Sequence, residues 1–142
     1  MIPVYLYQVA DALKTLIETN QVSLGIEEVY FGDQERIARH PSVCIEPNLQ
    51  RNDIAGVATP MRLQRTHTVV ILLYHSRFVD TQTQRRDCDA LAAEIEELVH
   101  NNVTLGGLVI HAYVSSVESG YSRKEGIIRA AGITVTAITK SP

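Results

Sequence analysis

Five histidines, two cysteines and a run of glutamates are the residues of this chain with most chemistry to offer. His40, His67, His75, His100 and His111 are scattered, with no H-x-x-x-H pair and no zincin pattern. His67 and His75 share parity on one extended run, but their separation spans about 26 Å by strand rise, too far for a shared metal. His111 on a neighbouring strand can approach one of them, and no third ligand is evident. Cys44 falls in an extended run and Cys88 in a helical one. Their spacing suits neither a zinc site nor a redox pair, so both read as small buried apolar residues. Asp87 and Asp89 flank Cys88 and read as solvated. Glu94, Glu96 and Glu97 read as an exposed helix face, where carboxylates stay ionised and do no acid–base work. Ser115, Ser116 and Ser119 have no Ser/His/Asp context, and Gly106-Gly107 lacks the third glycine of a phosphate loop. No catalytic, metal or cofactor site is expected.

With 142 residues one domain is the prior, and such a chain buries enough surface for one core. The net charge of −3 excludes a polybasic nucleic-acid or membrane surface. Ten of the thirteen cations are Arg, the residue of bidentate contacts and interfaces. The N-terminus has no basic flank and no small-residue cleavage site, and contains Asp11, so it does not read as a signal peptide. No run approaches a membrane span. The expectation is a soluble protein made in the cytoplasm.

Hydrophobic periodicity then places the elements. Leu6, Val9, Ala10, Leu13, Leu16 and Ile17 recur at helical spacing, which predicts a helix over Pro3–Asn20 with Pro3 in its first turn. Tyr5 and Tyr7 sit at its flanks, as core-edge residues or interface anchors. After a turn at Val22–Gly25, Glu27–Phe31 and Ser42–Glu46 read as short strands bounded by Gly32-Asp33, Pro41 and Pro47-Asn48. Leu49–Met61 shows neither period and reads as a long loop, solvated or ordered by a partner. Gln64–Ser76 is a long strand. Thr81–Asn101 is a second helix, with Thr81 and Gln84 as a capping box and Asp80 favouring its N-terminal dipole. Cys88, Leu91, Ala92, Ile95, Leu98 and Val99 form its stripe. Leu108–Glu118 and Gly126–Lys140 are two strands joined by the polar link Ser119–Glu125. The order α-β-β-β-α-β-β implies an α+β domain over residues 1–142, a mostly antiparallel sheet with both helices on one face.

Two features do not close within that layout. Val69–Tyr74 is continuously apolar, so both faces of its strand need cover, and helices on one side supply only half. The other half is expected from a partner subunit. Arg129 lies among apolar neighbours, with the parity of Ile127, Ala131, Ile133 and Val135. Its guanidinium needs a carboxylate or carbonyls; Glu118 or Glu46 within the chain, or a neighbouring subunit, can serve.

The whole layout resembles the tail-terminator, or tail-completion, proteins of long-tailed bacteriophages. The resemblance runs through the N-terminal amphipathic helix, VYFG, the HPSVCIEP strand, the RTHTVVILLYH strand, the acidic DALAAEIEELV helix and the final IIRAAGITVTA strand. It implies an oligomeric ring of α+β subunits, usually a hexamer, without catalysis or cofactor. Such a ring caps the tail tube, ends its growth and offers a surface to neck or head-completion proteins. It sits in the virion, beside sheath protein if the tail contracts, with DNA only passing through its lumen. Interface residues expected on this basis are Arg51, Asp53 and Arg62 in the long loop, and Arg65 and Arg129 as inter-subunit ion pairs. The alternatives are a neck or head-closure protein of the same particle, a ferredoxin-like ligand-binding domain using His67, His111 and Arg129, or a module that dimerises through its sheet.

Overall fold

A computed structural model describes residues 3–37, 39–57, 61–77, 81–124 and 126–140. It is an α+β domain with the elements α1 (Leu6–Thr19), α2 (Gln21–Leu24), β1 (Glu28–Phe31), β2 (Ser42–Gly56), β3 (Arg62–Arg77), α3 (Thr81–His100), β4 (His111–Arg123) and β5 (Ile127–Lys140). The five strands form one mixed sheet in the order β1-β2-β3-β5-β4. β1 runs parallel to β2, and the other three pairings are antiparallel.

Alternation on the central strands assigns the faces. Val43, Ile45, Val69, Ile71, Leu73, Ala131, Ile133, Val135 and Ala137 point to one side and are buried. There they meet Val9, Ala10, Leu13 and Ile17 of α1 and Cys88, Leu91, Ala92, Ile95 and Val99 of α3 in one core. Each fully buried Ile or Leu in that layer contributes about 1.5–3 kcal/mol relative to exposure. Both helices therefore cover the same face, as their apolar stripes require. Arg129 shares that side, with the expected parity.

Several boundaries differ from the sequence expectation. α1 starts at Leu6, because the Tyr5 N–H donates to the Gln8 side chain at 2.7 Å and caps the helix there; Pro3 lies before it. The turn at Val22–Gly25 is a short helix ending at Gly25 in the left-handed region (φ 73°). Asp80 and the Thr81 side chain, expected to cap α3, lie outside the described set. β4 begins at His111, since Thr104–Ile110 turns through Leu105, Gly106 and Gly107, all with positive φ, and inserts Val109 into the core without strand pairing. The polar stretch Ser119–Arg123, expected as a link, pairs with Ala131–Ile127 as the outer end of the sheet.

The largest correction concerns Leu49–Met61. Its first part, through Gly56, continues β2 in register with β3, from Leu49 opposite Thr68 to Gly56 opposite Arg62. Bulges near Asn48 and Ala55 interrupt the ladder. The segment is exposed on both faces, so no apolar alternation marks it. Cross-strand hydrogen bonds to β3 hold it extended.

Candidate interface surfaces

Among the described residues, the sheet's second face is covered by the chain at one end only. After β1, Gly32 (φ 84°) turns the chain into Asp33–Pro41, which brings Ile37 against Cys44, Tyr74 and Ile128 in a small second core. The expectation that a partner must supply this entire cover is thereby revised: the described residues between two parallel strands do part of it. Polar contacts pin the segment. The Tyr74 hydroxyl donates to Asp33 Oδ1 at 2.6 Å, the Asp33 N–H donates to Glu46 Oε2 at 2.7 Å, and Lys124 Nζ donates to the Gln34 carbonyl at 2.6 Å. Lys124 also lies 3.2 Å from the Asp33 carboxylate and 5.3 Å from the centre of the Tyr74 ring. Burial, then the bond to Asp33, raises the Tyr74 phenol well above its ordinary pKa.

Beyond that cover the described residues leave the face open. Register places Thr66, Thr68 and Val70 of β3 beside Ile138, Thr136 and Thr134 of β5, all half-buried. Leu49 and Tyr113 flank them at 56% and 43% exposure. Where β4 and β5 carry Gly120, Ala130 and Gly132, the missing side chains leave a concavity of about 250 Å³ next to Leu72 and Glu118.

The β2–β3 hairpin carries three of the expected interface residues on this same face. Arg51 lies opposite Thr66, Asp53 opposite Gln64, and Arg62 opposite Gly56; all three are exposed. Ile54, Val57 and Met61 of the hairpin are exposed too, at 64%, 83% and 49%. Past Ile45, β2 has no strand on its outer side among the described residues. β4 is the opposite edge. Its first outward N–H groups are covered by the end of α3 and the turn after it: Ala112 donates to the Val103 carbonyl, and Val114 to His100 Nε2 at 3.0 Å. Sequence reasoning did not pick out His100, whose only sequence signal was its place in the last helical turn.

Arg65 and Arg129 face the helices and are separated from the hairpin patch. Arg65 lies opposite Asn52 and Thr139, half-buried. Beside it His67 is fully buried, its Nε2 3.0 Å from the Thr139 hydroxyl. Burial, then the Arg65 charge, holds the His67 imidazole below its usual pKa. Arg129 is 8% exposed and donates from Nη1 to the Gly120 carbonyl at 3.3 Å. Neither Glu118 nor Glu46 reaches it, because register puts both on the other face, opposite Gly132 and Val70. The Gly120 carbonyl is thus one of its partners, of a kind expected from the sequence.

The three residues of the ligand-binding alternative do not converge. His67 and Arg129 share a face but lie at opposite ends of β5's register, and His111 points to the other face opposite Ile138. His111 is therefore not placed to approach His67 either. Among the described residues no group of three His, Cys, Asp or Glu side chains could hold a metal. Cys44 and Cys88 are buried and free, as expected. Tyr5 and Tyr7 are about half exposed, their rings stacked with centroids 5.9 Å apart. No described helix is long and apolar enough to cross a membrane.

Fold and surfaces together define an α+β domain with helices on one side of a mixed sheet and a part-open face with a charged hairpin on the other. Neither a comparison with protein-family models nor one with curated proteins returns a match to this chain.

Proposed function

We propose that this chain is a virion assembly subunit, a tail terminator that works as a ring of identical copies, probing no substrate and holding no cofactor. The ring caps the last ring of the tail tube, leaves no surface for another tube subunit, and presents its far side to a neck or head-completion protein. The observation that carries this reading is the second sheet face. Its own chain covers the Tyr74 end, while Thr66, Thr68, Val70, Leu49 and Tyr113 stay accessible beside an edge of β2 that no described strand pairs. Such edges are protected when a neighbour docks against them, and a closed ring leaves none over.

The hairpin is the tube or neighbour contact in this reading. Arg51, Asp53 and Arg62 project from one face of an extended ladder and are fixed by strand pairing. Replacing Arg51 and Arg62 with Glu reverses two charges at exposed positions and leaves the core untouched. In a phage whose own copy carries an amber codon, the double variant is expected to give unjoined heads and overlong tails, with a wild-type circular dichroism spectrum. Full virion yield from the variant refutes the proposed contact. Full heads that leak DNA, with tails of normal length, assign the chain to head closure instead. Negative-stain microscopy and light scattering of the wild-type protein, with and without tail tubes, report the ring directly.

A further inference from the structure

The sheet ends on two long free edges. β1 pairs only with Ser42–Ile45 of β2, so from Pro47 to Gly56 no described strand lies outside β2. On β4 the end of α3 and the turn after it cover Ala112 and Val114, and from Ser116 to Arg123 no described strand lies beyond it. The two free stretches are of similar length. Edges of this kind are templates for pairing with another chain.

Strand direction allows these two edges to join. β2 is antiparallel to β3, β3 to β5 and β5 to β4, so β4 runs opposite to β2. A second copy set beside the first, without being turned over, therefore offers its β2 to β4 as an antiparallel neighbour. The backbone groups agree. Ala112 and Val114 aim their N–H groups outward, and alternation past the bulge at Ser115 aims those of Val117 and Ser119 the same way. On β2 the Ile45 carbonyl points outward to the Gly32 N–H, and alternation past the bulge at Asn48 gives Gln50, Asn52 and Ile54 the outward groups.

Side chains choose the register. On the open face β2 presents Leu49, Arg51 and Asp53, and β4 presents Ser116, Glu118, Gly120 and Ser122. Arg51 and Glu118 are not in the ion pairs found among the described residues, which join Lys14 to Glu18, Arg39 to Glu28 and Lys124 to Asp33. Setting Arg51 opposite Glu118 puts Leu49 opposite Gly120 and Asp53 opposite Ser116. Leu49, exposed in the single copy, then stands beside the concavity of about 250 Å³ left by Gly120 and Gly132 next to Leu72. A slip of two residues one way opposes Asp53 to Glu118, two like charges; the other way it opposes Leu49 to Glu118 and Arg51 to Ser116. On the helix side the same register makes the exposed Ile54 and Val117 diagonal neighbours.

We infer that the β4 edge of one copy pairs with the outer half of β2 of the next, with Arg51 opposite Glu118 and Leu49 over Gly120. The pairing deepens the ring reading above and rests on it for closure; the contact itself stands on the two edges. A two-fold pairing of β2 with its own copy would also oppose charges, Arg51 to Asp53, but it leaves the β4 edge and the Gly120 concavity uncovered. The head-to-tail contact covers both edges with one interface, and such contacts build rings or open chains.

Disulfide trapping and sedimentation velocity test it, with circular dichroism checking that each variant is folded. The native Cys44 and Cys88 are buried and free. Asp53→Cys with Ser116→Cys in one chain should give a ladder of covalent multimers on oxidation, since directly opposed residues of an antiparallel pair lie within disulfide reach. Mixing the two single variants should give a covalent dimer, and neither should cross-link alone. Asp53→Cys with Ser122→Cys, out of register, should give none. Arg51→Glu and Glu118→Arg should each weaken self-association about three- to tenfold, and an equimolar mixture of the two should recover it. A wild-type protein that stays monomeric, a folded in-register pair that does not cross-link, or efficient trapping out of register overturns the inference. So does Asp53→Cys dimerising by itself, or Glu118→Arg associating like wild type, either of which assigns the β2 edge to a two-fold contact. Wild-type protein that caps tail tubes without trapping in register sinks this pairing and leaves the terminator reading intact. A trapped ladder from a protein that caps no tube and joins no head does the reverse.

Discussion

Tyr74 and Asp33 are joined by a 2.6 Å hydrogen bond from the phenol to the carboxylate, linking the middle of the sheet to the segment that crosses its second face. Strand β3 supplies the tyrosine and the β1–β2 connection the acid. The bond fixes where the chain's own cover of that face ends. Tyr74 itself is 4% exposed, and Lys124 lies over its ring.

Tyr74→Phe removes this donor while keeping the ring in the small core with Ile37, Cys44 and Ile128. Because the Asp33 side chain is 39% exposed, its carboxylate can turn to water. The expected cost is therefore modest, about 1 kcal/mol, read as a lower denaturant midpoint with an unchanged m-value. Lys124→Ala should couple to it in a double-mutant cycle, since both contact Asp33. Strict additivity of the two would show that the contacts act independently.

His67 makes the fold acid-sensitive. Its folded-state pKa is depressed, chiefly by burial and further by Arg65. Above the unfolded value of roughly 6.5 both states are neutral and nothing changes with pH. Below it the unfolded chain takes up a proton that the folded chain resists, so stability falls as the pH drops from there. His75, depressed mainly by burial with Asp87 opposing, acts in the same direction. Denaturation midpoints measured from pH 7.5 to 5 should decline. His67→Gln should flatten the decline, and an identical slope in that variant would remove His67 from the account.

Both thiols should be inert in the native protein. Burial pushes Cys88 up to about 11, with Asp89 adding to the shift and Arg129 opposing it. Burial likewise raises Cys44. An aromatic disulfide reagent at pH 8 is expected to titrate neither until denaturant is added, because the thiolate is the reacting species. Rapid labelling of the folded protein contradicts that.

Gly132 offers a gain in stability. It lies in mid-strand on the open face, and a Cβ built there meets no atom within 4 Å. Gly132→Ala should stabilise the fold by about 0.5–1 kcal/mol by restricting the unfolded chain. A lower thermal midpoint would mean that the strand cannot accept the methyl group.

Much of this was legible in the residues alone. The stripe from Cys88 to Val99 marks α3, and the parity of Ala131, Ile133 and Val135 assigns their face, because periodicity records burial against a neighbouring layer. The same parity correctly placed Arg129 towards the helices. What tertiary structure decided was pairing. The outer half of β2, with Arg51 and Asp53, is exposed on both sides and leaves no burial signal; β3 makes it a strand. One partner of Arg129 was decided by register, which sends Glu46 and Glu118 to the far face and leaves the Gly120 carbonyl within reach. The cover by Asp33, Gln34 and Ile37 arises because β1 and β2 run parallel, so the chain must cross the sheet to return. Local spacing sets which side chains are buried; only the fold sets which strand lies beside which.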